Sequence, residues 1–191
     1  MSELVQNIQV GVQQGSVLFD MSLVYLYTGE GEGKTTNAIG LAVRAVGHGY
    51  RAVIIQFLKG RKDIGEYKIK EKLSPLYEIY QFGREEFVNL INPDAECYRL
   101  AEEALKQAEK ALEKKPRVLV LDEVNLAAAF GIVDRRKVLE VIDRAPEETV
   151  VVLTGRRAPR EFIERADLVT EMRYVKHPYD RGIVAKKGVD F

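Results

Sequence analysis

Apolar residues in this chain fall into short dense runs separated by longer amphipathic stretches. Residues 23–28 (LVYLYT) and 52–57 (AVIIQF) are apolar at odd and even positions alike, which predicts strands buried on both faces. Residues 117–121 (RVLVL), Thr149 to Thr154 and 167–174 read the same way, and Tyr77 to Gln81 supplies a further strand. Between these runs the period lengthens. Ala38, Leu41, Ala42 and Ala45 share one face of a helix from Lys34 to Val46, stopped by Gly47 and Gly49. Ala101, Leu105, Ala108 and Leu112 are spaced 4, 3 and 4, which predicts a helix capped by Asp94 and running to Lys114. Asp134 caps another to Asp143, with Val138, Leu139, Val141 and Ile142 facing inward. Shorter helices fit Glu66 to Lys72 and 159–165, and 82–93 reads as irregular. Strands alternating with helices predict an α/β fold with a mostly parallel sheet and helices on both faces.

Composition narrows the classes. The chain has 191 residues, 46% of them apolar and 30% charged, as expected of one folded domain over 21–191. Residues 1–20 hold no Lys or Arg, two acids (Glu3, Asp20) and a thin apolar pattern of Leu4, Ile8 and Val12. They read as an extension whose order the pattern leaves open, and not as a secretory signal. Lys plus Arg balances Asp plus Glu, 29 − 29 = 0, which argues against a nucleic-acid binder. No apolar run is long enough to span a bilayer. The single Cys97 forms neither an internal disulfide nor a structural zinc site, in keeping with a reducing compartment. His48 and His177 are too few for a histidine metal cage, whereas Mg²⁺ needs only oxygens.

The chemistry concentrates at Thr28-Gly29-Glu30-Gly31-Glu32-Gly33-Lys34-Thr35-Thr36, between a strand and a helix. This is the setting of a P-loop, and it makes the fold P-loop NTPase-like. Glycines let backbone N–H groups converge on phosphate, and the helix N-terminus adds further donors. Lys34 supplies a cation for the terminal phosphates and Thr35 a hydroxyl for Mg²⁺. The spacing is one residue short, because Thr28 stands six positions before the lysine. Glu30 and Glu32 also sit where phosphate approaches, so a flexible Gly-Glu turn is the competing reading. The strand VLVLDE at 118–123 ends in Asp122 and Glu123, candidate metal ligands beside Thr35. Read alone, Asp122 equally suits a cap on the following turn.

Beyond the loop, several segments resemble one family. GEGEGKTT at 29–36, RAVGHG at 44–49, IIQFLKG at 54–60, VLVLDE, TGRRAPREFIERADLVTEM at 154–172 and KHPYDRGIVAKKGVDF at 176–191 look like the P-loop-type ATP:corrinoid adenosyltransferases. The resemblance covers about 23–191 in order. It implies transfer of the 5′-deoxyadenosyl group of ATP to the Co(I) of a reduced corrinoid, with release of triphosphate, in cobalamin synthesis or salvage. It further implies a cytoplasmic homodimer, Mg²⁺, and a reductase that supplies Co(I). Lys34, Thr35 and Glu123 take the catalytic roles. Gly29, Glu30, Gly31, Glu32, Gly33, Lys34, Thr35, Thr36 and Arg44 take ATP, and Thr35, Asp122 and Glu123 take the metal. Arg44 also suits a solvent-exposed helical position. In the 80–91 stretch Phe82 and Phe87 are candidates for the corrinoid or, equally, for the core. The family's Trp in this stretch has no counterpart, since the chain has no Trp. KGRKDIGE at 59–66 departs from the family's version and is a candidate substrate loop. His177 suits cobalt ligation or a structural hydrogen bond. Two other readings compete. One is another P-loop kinase, with Arg156, Arg157 and Arg160 on the γ-phosphate, and the other a non-catalytic nucleotide-binding regulator.

Overall fold

The computed structural model describes residues 22–85 and 89–191. Both the 1–20 extension and Phe87 lie outside the described residues. Six strands form one sheet: β1 (Val24–Thr28), β2 (Ala52–Phe57), β3 (Tyr77–Phe82), β4 (Val118–Asp122), β5 (Val150–Thr154) and β6 (Leu168–Glu171). Their order is β3-β2-β4-β5-β1-β6, and every pairing is parallel. The long helices are α1 (Lys34–Gly47) and α4 (Ala95–Leu112). Shorter ones are α2 (Gly65–Lys68), α3 (Lys70–Leu73), α5 (Val124–Ala129), α6 (Arg135–Asp143) and α7 (Arg160–Arg165).

Alternation along each strand sorts the core into two layers. Leu26, Ile55, Phe57, Leu119, Leu121 and Leu153 meet the side chains of α4 to α7, including the fully buried Phe162. Tyr27, Ile54, Ile79, Val120 and Val152 meet the alanine face of α1, Ala38, Ala42 and Ala45. Small side chains there let α1 approach the sheet closely. Both predicted caps form: Asp94 accepts from Cys97 N at 3.1 Å and Asp134 from Arg136 N at 2.8 Å.

Three elements differ from expectation. The helix expected over Glu66 to Lys72 is two four-residue helices separated at Ile69. The last strand stops at Glu171, where β1 ends and its ladder partner turns away into the glycine loop. Helix α5 had no amphipathic signal, because Val124, Asn125, Ala127 and Ala128 are all buried and leave it no extended polar face.

Candidate active site

In an open parallel sheet, ligands bind outside the carboxyl ends of the strands, where the order reverses. Here β1 connects to β2 across β5 and β4, and the glycine loop opens at that reversal. The loop's glycines are required by what lies beside them. Gly29 has φ 96 and Gly33 φ 103, conformations that L side chains rarely adopt. A Cβ on Gly31 would meet Arg173 O at 2.6 Å, and one on Gly29 would clash with the carbonyl of Met172. The chain after β6 therefore braces the loop, and Gly31 N donates to Met172 O at 2.7 Å. Lys34 bends back over the loop, donating to Gly29 O at 2.8 Å and Gly31 O at 2.5 Å. Burial and the neighbouring Arg156 hold the Lys34 ammonium below the usual lysine pKa.

Asp122 lies at the end of β4 with a fully buried side chain. Its Oδ1 accepts from Thr35 Oγ1 at 2.8 Å and Thr154 Oγ1 at 2.7 Å. Its Oδ2 accepts from Gln56 Nε2 at 3.0 Å and Lys59 Nζ at 2.7 Å. Burial opposes its ionisation, but Lys59 and these hydrogen bonds outweigh burial and hold the carboxyl below the usual range. All its partners are side chains, so Asp122 caps no turn among the described residues. Glu123 follows at φ 61, a left-handed backbone that is uncommon outside glycine. Its N–H donates to Thr154 Oγ1 at 3.0 Å. Burial first, then Asp122, raise its pKa.

A cavity of about 630 Å³ opens between loop and acids, bordered by Gly31, Lys34, Thr35, Lys59, Glu123 and Arg156. Its volume lies within the range of small-molecule sites. Glu32, Gly33 and Thr36 also border it, with Leu58, Leu90, Leu126 and Val189 forming an apolar side. Glu30 faces Arg156 at 3.4 Å.

Other sequence candidates lie elsewhere. Arg44 is exposed in the last turn of α1 and does not border this cavity. Phe82 ends β3 half-buried and packs on the core. His177 is engaged on both ring nitrogens: Nδ1 accepts from Tyr179 N at 3.1 Å, and Nε2 lies 2.7 Å from Glu32. The arginines of a γ-phosphate cluster do not converge, since Arg157 lies over Phe130 and Arg160 pairs with Glu164.

Sequence reasoning missed Gln56, Lys59, Thr154 and Asn125. Asn125 donates to Tyr27 O at 3.3 Å and Gly155 O at 3.1 Å, tying the ends of β1 and β5 together. Gln56 carried a usable signal, a polar side chain inside an otherwise apolar strand. Lys59 lies in the IIQFLKG segment and opens the candidate substrate loop at 59–66, but nothing in the sequence singled it out from the other charged residues there.

Glycine loop, lysine, threonine and buried strand-end carboxylate on a parallel sheet define a P-loop nucleotide-binding protein. The model of a particular P-loop family, described as ATP:corrinoid adenosyltransferase BtuR/CobO/CobP, matches residues 20–191. A corrinoid adenosyltransferase of Sinorhizobium sp is 35% identical over 175 residues, covering 90% of this chain and 81% of that protein. The corrinoid adenosyltransferase of Escherichia coli K12 is 32% identical over 174 residues, covering 90% and 87%. That of Pseudomonas aeruginosa is 35% identical over 173 residues, covering 90% and 85%. The chain belongs to the ATP:corrinoid adenosyltransferase family. Among the described residues no helix is long and apolar enough to cross a membrane.

Proposed function

We propose that this chain binds Mg-ATP between its glycine loop and the β4 acids and transfers the 5′-deoxyadenosyl group to a reduced cobalt corrinoid. The observation that carries the reading is the 2.8 Å contact between the Thr35 hydroxyl and Asp122, at the edge of a cavity bordered by the loop and Lys34. Gly29 to Thr36 hold the polyphosphate, and Lys34 neutralises part of its charge. Thr35 and Glu123 offer hard oxygen donors, and Asp122, whose acceptor positions are filled by Thr35, Thr154, Gln56 and Lys59, would join them only by yielding one of those contacts. That set suits Mg²⁺, which takes few protein ligands and completes its shell with phosphate and water. When bound, Mg²⁺ neutralises polyphosphate charge. The corrinoid supplies the nucleophile, so the protein needs no Ser, Cys or general base. What the protein contributes is orientation of the 5′ carbon and stabilisation of the leaving group. The apolar side formed by Leu58, Leu90, Leu126 and Val189 suits the largely apolar macrocycle, and Phe82 and Phe87 of the 80–91 sequence are the aromatic candidates for it. We also infer a cytoplasmic homodimer served by a separate reductase.

The test is an anaerobic assay with chemically reduced cobalamin, ATP and Mg²⁺. Loss of the Co(I) absorbance with release of triphosphate is expected, and Lys34→Ala should abolish both. Release of ADP, or ATP binding without alkylation of cobalamin or of an incomplete corrinoid, would sink the reading.

A further inference from the structure

Lys59 stands outside the glycine loop, on the turn after β2, yet its ammonium meets two groups of the metal corner. It donates to Asp122 Oδ2 at 2.7 Å and Thr35 Oγ1 at 3.1 Å, and Glu123 Oε1 lies 3.8 Å away. The turn that carries it is tightly fixed. Leu58, just before, has φ 59, and its N–H donates to Phe82 O at 3.0 Å. Gly60, just after, runs so close to the turn after β3 that a Cβ would meet Gly83 O at 2.6 Å. A Cβ on Gly83 would in turn clash with the backbone of Leu58 and Lys59. Backbone in sparsely populated conformations persists where the surroundings impose it, and such places cluster at functional sites.

An ammonium has three N–H donors. Asp122 and Thr35 engage two of them, and among the described residues no acceptor engages the third. The side chain is 28% exposed and borders the 630 Å³ cavity. Adenosyl transfer gives that donor a use. The Co(I) electron pair forms the Co–C bond, and cobalt is oxidised to Co(III). The C5′–O5′ bond breaks, and its electron pair stays on the oxygen. No proton moves, so the triphosphate leaves with one more negative charge than it carried within ATP. Cations fixed beforehand near that charge stabilise the step.

We propose that Lys59 is a second triphosphate-binding lysine, held by Asp122 and Thr35 so that its remaining N–H meets an oxygen of the departing triphosphate. The inference rests on the adenosyl-transfer reading of this site. A mere counter-ion to Asp122 would influence triphosphate only through its charge and would not be shielded from amine modification by bound triphosphate, which separates the two roles.

The probe is inorganic triphosphate, titrated calorimetrically into the full chain with EDTA present. Lys59→Gln keeps a donor for Asp122 but loses the charge. It is expected to bind triphosphate about tenfold more weakly, the loss of one charge-assisted hydrogen bond. Lys59→Arg restores the charge and should recover part of that loss. Unchanged affinity in a Lys59→Gln protein that melts like the parent overturns the proposal. Amine methylation of the wild-type chain separates contact from counter-ion, and it decides alone should Lys59→Gln fail to fold. Triphosphate should protect Lys59 as well as Lys34. Protection of Lys34 alone overturns the role of Lys59 and leaves the loop reading standing. Protection of neither overturns both.

Discussion

Asp122 has its acceptor positions filled by two hydroxyls, an amide and an ammonium, all inside the protein. Such a carboxylate tolerates no change of donor and acceptor. Asp122→Asn turns one oxygen into an NH₂ group, which then faces either the two threonines or Gln56 and Lys59. It also leaves Lys59 without its nearest counter-charge. Removing one partner of a buried ion pair costs about 3–5 kcal/mol. Lys59 keeps partial access to water, so the lower end of that range is expected, read as a fall in the urea midpoint at constant slope. The double variant Asp122→Asn/Lys59→Gln should lose less than the sum of the single losses, because the two residues share one network. Strict additivity would mean that the pair is not energetically coupled.

At the scale of elements, glycine and capping positions offer sharper tests than the core. Gly40 sits mid-way along α1, and a Cβ there meets nothing within 4 Å. Gly40→Ala should therefore stabilise the helix by about 0.8 kcal/mol, the propensity difference alone. A loss of stability in thermal unfolding would show that this face of α1 is occupied in solution. The start of α4 gives a pH test. The Cys97 thiol, the Arg84 guanidinium and the Cys97 backbone N–H hold the Asp94 carboxyl at about 2. A depressed carboxyl contributes stability that is fully present above its unfolded pKa, about 3.9, and is lost as pH falls toward the folded value. Asp94→Asn keeps a good N-cap but cannot titrate. Its melting temperature should fall less than that of the wild type between pH 4.5 and pH 2, both read on the same buffer series. These caps, the buried strands and the glycine loop were legible in the sequence because each follows from local rules. Helix α5 was not legible, since burial on most sides removed the period that reveals a helix. Nor was the bracing of the loop by Met172 and Arg173, which depends on β6 lying beside β1. The position of Lys59 likewise depends on two turns, after β2 and after β3, crossing backbone to backbone.

For the molecule as a whole, the site is assembled from segments that follow all six strands. Only the complete sheet brings Lys34, Lys59, Glu123 and Arg156 around one cavity. A ligand that binds this assembly, and not the unfolded chain, stabilises the fold by RT ln(1 + [L]/Kd), about 2.7 kcal/mol at a hundredfold excess over Kd. For a domain of this size each kcal/mol raises the melting temperature by roughly 2–4 °C. Mg-ATP at that excess should therefore raise it by about 5–10 °C. If Thr35, Asp122 and Glu123 hold the metal, EDTA should remove part of that rise at the same ATP concentration. It should change the ligand-free protein little, because Lys59 already satisfies Asp122 there. Lys34→Ala removes a cation bordering the cavity without opening the core, so it should melt near the wild type and lose most of the ATP-dependent rise. An equal rise in wild type and Lys34→Ala would place the nucleotide away from the loop. A rise insensitive to EDTA would take the metal away from Thr35 and the two acids, leaving the lysines and Arg156 to carry the phosphate charge alone.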